Sequence, residues 1–110
     1  MWRQVQVAIP ESTRSSLAWK VAAHQRKNWP QLKEVKVRFR GELAYLDGVL
    51  ADGDLQPLCR LRYGGSATFW GFAIYLASKD GYQDSVLPSG AFEGTPEEAL
   101  DCACGLYVQA

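Results

Sequence analysis

The sequence predicts an α+β fold in which an antiparallel meander of four or five strands carries two helices packed on one face. Three observations lead there. Apolar and basic residues alternate over Val35, Lys36, Val37, Arg38, Phe39 and Arg40, and again from Leu58 to Tyr63. Residues 68–77 are apolar on both sides, as in a strand covered on two faces or facing a partner. Thr95-Pro96-Glu97-Glu98 then opens an alanine-rich segment with the pattern of a capped helix.

Along the chain, residues 4–9 alternate and read as a short edge strand stopped by Pro10. A helix follows over Glu11–Asn28, with Ser12 or Thr13 as its cap. Leu17, Val21 and His24 form its buried stripe, with Ala18 and Ala22 beside them. Trp29-Pro30 ends it, because proline disfavours helical geometry in the residue before it. Strands are expected over residues 35–40, 43–50, 58–63 and 68–77, with a fifth over residues 82–87. The glycine and acidic turns at Gly41, Asp52-Gly53-Asp54 and Asp80-Gly81 separate them. The last helix buries Ala99, Leu100, Ala103 and Tyr107.

A register with Tyr63 opposite Thr68, and Phe39 opposite Glu42, sorts the sheet into two faces. Val35, Val37, Phe39, Ala44, Leu46, Cys59, Leu61, Trp70, Phe72, Ile74 and Leu76 make the core face. The other face carries Lys36, Arg38 and Arg40, then Tyr45, Arg60, Arg62, Phe69 and Tyr75, together with Leu43, Asp47, Val49, Leu58, Gly71 and Ala73. Three readings fit this second face. It is a basic and aromatic platform for single-stranded nucleic acid or another polyanion, a contact surface for protein or a second copy, or a solvated face whose arginine stems cover its aromatics.

The chain of 110 residues is one domain, 1–110, with an ordinary globular composition: 47% hydrophobic and 22% charged residues argue against disorder. No apolar run approaches the ~20 residues of a membrane span, and the first residues lack a signal-peptide core, so a cytoplasmic protein without membrane partners is expected. Net charge is zero but unevenly spread. Nine basic residues stand against two acidic ones over residues 1–40, and three against ten over residues 41–110. Such a dipole is neutralised within the fold, between copies, or by a polyanion.

Little points to catalysis. His24 is the lone histidine, and a packed histidine is the commoner role at such a position. Three cysteines imply reduced thiols rather than a disulfide framework, and Cys102 and Cys104, ~200° apart on a helix, are not a chelating pair. Asp52 and Asp54 are accounted for by turn chemistry. No P-loop, dinucleotide fingerprint or zinc spacing is present. The expectation is a non-enzymatic module without cofactor or metal. Its partner is a protein or itself, as a homodimer, or else a nucleic acid.

Two resemblances accompany this reading. The stretches PLCRLRYGG, WGFAIY, LPSG and GTPEEALDCACGLY resemble a family of short, uncharacterised bacterial proteins over roughly residues 30–108, a likeness that implies no activity. LPSGAFEGTPEEAL is similar to the end of HicB-type antitoxins at Pro88, Gly90, Gly94, Thr95, Glu97, Glu98, Ala99 and Leu100. That likeness implies a partial double-stranded-RNA-binding-type fold that occupies a small toxic ribonuclease. The chain departs from that pattern in its N-terminal helix.

Overall fold

The structure, a computed structural model, describes residues 8–108. The expected α+β fold is present. Helix α1 (Glu11–Asn28) leads into five strands, β1 (Glu34–Arg40), β2 (Leu43–Val49), β3 (Leu55–Tyr63), β4 (Trp70–Leu76) and β5 (Gly81–Asp84). A two-residue strand β6 (Glu93–Gly94) and helix α2 (Pro96–Tyr107) complete the chain. The sheet is an antiparallel meander in the order β1-β2-β3-β4-β5, and β6 also pairs with β4. Both helices pack on the same face, α1 over β1 and α2 over β3 and β4, and they touch each other. The strand expected over residues 4–9 lies outside the described residues save for its last two positions.

Helix α1 begins at the expected residue but without the expected cap. Pro10 occupies the cap position and no side chain caps the helix. Ser12 and Thr13 therefore fall inside the first turn, too late to cap, and Thr13 is buried instead. The buried row is Thr13, Leu17, Val21 and Gln25, each four residues apart on one face. Gln25 rather than His24 holds its last position. The Gln25 amide donates to the carbonyls of Trp29 (3.0 Å) and Leu32 (2.9 Å), which ties the connection to β1 onto the helix.

Helix α2 matches its pattern closely. Thr95 Oγ1 accepts from the Glu98 amide N–H, and the Glu98 carboxylate accepts from the Thr95 N–H at 3.0 Å, a complete capping box with Pro96 in the first turn. Gly94, just before it, leaves room for Leu87. A Cβ there would stand 2.3 Å from the Leu87 Cδ1.

Both hairpin registers differ from expectation by two residues. Phe39 pairs with Ala44 rather than Glu42, and Tyr63 with Trp70 rather than Thr68. In the first hairpin Gly41 takes a φ of 58° at the first position of a two-residue loop, where hairpin turns of the II′ kind place glycine. In the second, the Ser66 hydroxyl accepts from the N–H groups of Thr68 (3.1 Å) and Phe69 (3.3 Å), holding both in the loop. An even shift leaves each side chain on its own face, so the core face stands as read. Val35, Ala44, Leu46, Cys59, Leu61, Trp70, Phe72 and Ile74 are buried, with Val37, Phe39 and Leu76 packed at its margin.

Leu58 is the exception. The β2–β3 register shifts after Leu46, so that Cys59 faces Leu46 while Pro57 faces Asp47, and Leu58 is the extra residue of a bulge. The bulge turns Leu58 into the core, fully buried beside Leu32 over Gly48, and off the outer face where alternation had placed it.

Candidate functional site

With both helices packed on one side, neither helix overlies the opposite face of the sheet, although the Tyr107 ring of α2 comes within 6.0 Å of the Tyr75 ring. Its composition follows from the register, which sets side chains in rows across the strands. One row runs Arg38, Tyr45, Arg60, Ala73 and Asp84, from β1 to β5. The next runs Arg40, Leu43, Arg62, Gly71 and Glu93, ending on β6. A third element is the β4–β5 pair Tyr75 and Tyr82.

Within this frame three of the four arginines, Arg38, Arg60 and Arg62, are paired with carboxylates. Arg38 Nε donates to Asp47 Oδ2 at 2.8 Å, while its guanidinium lies 5.0 Å from the Tyr45 ring centroid. The Asp47 hydrogen bond holds the Arg38 pKa above its ordinary value. Asp47 itself is only 5% exposed, and its second oxygen, Oδ1, is buried with no hydrogen-bond partner among the described residues. Arg60 reaches across the small Ala73 to Asp84 at 3.4 Å and stands 5.8 Å from the Tyr82 ring. Arg62 donates to Glu42 at 3.1 Å. The tyrosines pack edge-on, Tyr45 against Tyr82 at 5.3 Å and Tyr75 against Tyr82 at 5.5 Å. The Tyr75 phenol donates to Asp80 at 2.7 Å, and burial raises the pKa of Tyr82. Three arginines and three carboxylates thus balance within one lattice of rings.

Where Gly71 and Ala73 leave the face low, a hollow of about 280 Å³ opens between Arg60 and Arg62 on one side and Asp84, Phe92 and Glu93 on the other. Phe92 is largely exposed at its wall.

Seven of the eight residues expected on this face lie together across it. Lys36, Arg38 and Arg40 stand on β1, Tyr45 on β2, Arg60 and Arg62 on β3, and Tyr75 on β4. Phe69 lies in the loop before β4 and is exposed there, apart from the strand that was expected to carry it. Sequence reasoning missed Tyr82 and Asp84, because the fifth strand had been started at Tyr82 without a register to place it. It also missed the hollow's Phe92 and Glu93, which read as loop. The two small residues Gly71 and Ala73, alternating between large neighbours, were the available signal.

The charge dipole persists in the fold. Among the described residues, Arg14, Lys20, Arg26, Lys27, Lys33, Lys36 and Arg40 have no carboxylate within ion-pair distance, and Arg38 alone of residues 8–40 pairs a basic side chain other than histidine with one. These free cations ride on α1, β1 and the connection between them. Besides Arg38 with Asp47, the basic and acidic parts meet at His24, whose Nε2–H donates to Asp101 Oδ1 at 2.7 Å. Trp29 Nε1 donates to the same oxygen at 2.8 Å, so Asp101 of α2 clamps the end of α1. A carboxylate only accepts, so Nε2 carries the His24 proton.

Among the described residues no group of three or more His, Cys, Asp or Glu side chains is placed to hold a metal ion, and no helix is long and apolar enough to cross a membrane. No protein-family model, curated protein or solved structure matches the chain.

Proposed function

We propose that the chain is a non-enzymatic binding module that works through protein contact, its uncovered sheet face pairing with a second copy. The observation that carries this reading is the neutral lattice of Arg38, Arg60 and Arg62 with Tyr45, Tyr75 and Tyr82. Tyrosine and arginine are the side chains that concentrate at the centres of protein interfaces. A two-fold contact sets a patch against itself, which a uniformly charged face resists and a charge-balanced one allows. The sheet spans roughly 19 by 23 Å, on the order of 440 Å² in projection, from the four spacings between five strands and a seven-residue strand length. Side-chain relief makes the accessible area larger than this projection, toward the roughly 600 Å² per partner of the smallest specific interfaces.

The same lattice weighs against a polyanion on this face. Phosphate would have to displace Asp47, Asp84 and Glu42 from their arginines, and the rings are turned edge-on to one another instead of lying open for bases to stack.

Light scattering across a concentration series tests the reading. The wild-type mass should rise from 12.2 kDa toward twice that value, and Tyr75→Glu with Tyr82→Glu should hold it at the monomer. A wild-type mass fixed at the monomer up to millimolar protein would refute it. Salt-sensitive binding of a labelled single-stranded oligonucleotide, lost on changing Arg60 and Arg62, would return the face to the polyanion reading.

A further inference from the structure

A second surface lies on the opposite margin of the sheet. Among the described residues strand β1 pairs with β2 alone, so its other side is an edge that no described strand covers. Its seven residues include no proline, and its register with β2 is unbroken. The pair Arg40 and Leu43 flanks the two-residue loop and is therefore hydrogen-bonded, and the alternation that follows sends the main-chain N–H and C=O groups of Val35, Val37 and Phe39 to the open side. Three donors and three acceptors stand there in strand geometry.

The side chains on either side of this edge differ in kind. On the outer face Arg38 is held by Asp47, whereas Lys36 and Arg40 are exposed and have no carboxylate partner among the described residues. They sit about 13 Å apart at the strand's rise per residue. On the core side Val37 and Phe39 are only half-buried, with the Arg14 guanidinium 5.8 Å from the Phe39 ring.

An incoming strand alternates its side chains in the same way. Beside Lys36 and Arg40 it needs carboxylates, and beside Val37 and Phe39 it needs apolar groups. A second β1 does not meet this requirement, since pairing two copies about Val37 sets Lys36 opposite Arg38, a like-charge contact that sheets disfavour. Basic side chains on an edge are a known guard against such self-pairing. We propose that the open edge of β1 receives an extended partner segment of alternating acidic and apolar residues by strand addition. The main chain supplies affinity, and Lys36 and Arg40 select the charge. This site does not depend on the face-to-face contact proposed above.

The test is fluorescence polarisation with a fluorescein-labelled Val-Glu-Val-Glu-Val-Glu-Val peptide and the full chain, with amide exchange read on the same samples. The peptide should bind saturably and slow exchange at Val35, Val37 and Phe39. Lys36→Glu with Arg40→Glu, both exposed and outside the core, should weaken binding at least tenfold. Val37→Pro removes an outward N–H without taking a bond from the β1–β2 ladder and should do the same. Tyr75→Glu with Tyr82→Glu should leave the affinity unchanged, which separates this site from the dimer face. The proposal is overturned by absence of binding at millimolar peptide, or by a Lys36→Glu, Arg40→Glu protein that binds as the wild type does. It is equally overturned if the three amides are already protected in the free protein, which would mean that the edge is covered by the chain itself or by a second copy. Tighter binding of an oligonucleotide, with the same dependence on Lys36 and Arg40, would assign the edge to nucleic acid instead.

Discussion

Replacing Arg38 by methionine isolates a carboxylate that water scarcely reaches. Methionine keeps an apolar stem over Tyr45 and deletes the guanidinium. Asp47 then retains its burial, at 5% exposure, but loses the 2.8 Å donor on Oδ2, while Oδ1 already lacks a partner. Removing one partner of a fully buried pair costs about 3–5 kcal/mol. The Arg38 side chain is 59% exposed, so solvent screens its charge. The relevant scale is then that of a hydrogen bond to a charged group, about 1.5–3 kcal/mol. We expect Arg38→Met to lose about 2 kcal/mol, lowering the melting temperature by roughly 10 °C. Asp47→Leu with Arg38→Met removes both charges and should return to within about 1 kcal/mol of wild type. Urea unfolding followed by tryptophan fluorescence on the wild type, both single variants and the double variant closes the cycle. A single-variant loss below about 0.5 kcal/mol, or a double variant as unstable as Arg38→Met, would mean that Asp47 does not depend on its arginine, and the lattice would lose its anchor.

Four further outcomes follow from the core and from helix α2. Thr95→Ala should cost about 1 kcal/mol by opening the capping box, and Gly94→Ala about 1–3 kcal/mol by pressing on Leu87, both read as shifts in the urea midpoint without a change in slope. The thiols should be slow toward a disulfide reagent in the native state. Burial raises the pKa of Cys59 strongly and pushes that of Cys104 to about 12, while the less buried Cys102 is raised less and should react first. Above pH 9 the unfolded chain releases thiol protons that the native state keeps, so stability should be full below pH 9 and fall as pH rises toward 12.

Much of this architecture was legible because the strongest patterns were local. Glu11–Asn28 and the Thr95 capping box are written in neighbouring residues, and the apolar alternation of β1, β3 and β4 sorted the core face even with both registers two residues out. What alternation does not encode is a local break in it. The bulge at Leu58 arises where Pro57, which lacks an N–H, meets Asp47, and it carried Leu58 from the outer face into the core. The outer face was read as basic because its arginines are adjacent in sequence to apolar residues, whereas their carboxylates come from other strands or, for Glu42, from the β1–β2 loop. Asp84 reaches Arg60 only because Ala73 is small, and Asp47 reaches Arg38 along a diagonal. Such pairings are set by register, which the chain specifies at long range.

The clamp between the helices bears on how the chain is made. His24 and Asp101 are 77 residues apart, and the hydrogen bond between them closes a loop that takes in the whole sheet. On a ribosome adding about 5–20 residues per second, α1 emerges roughly 4–15 s before its partner on α2 exists. For that interval α1 lacks its contact with α2, and the meander must assemble beneath a helix held from one side. An unfinished chain stopped short of Asp101 would therefore lack the clamp while carrying the apolar row of α1 and its cations together.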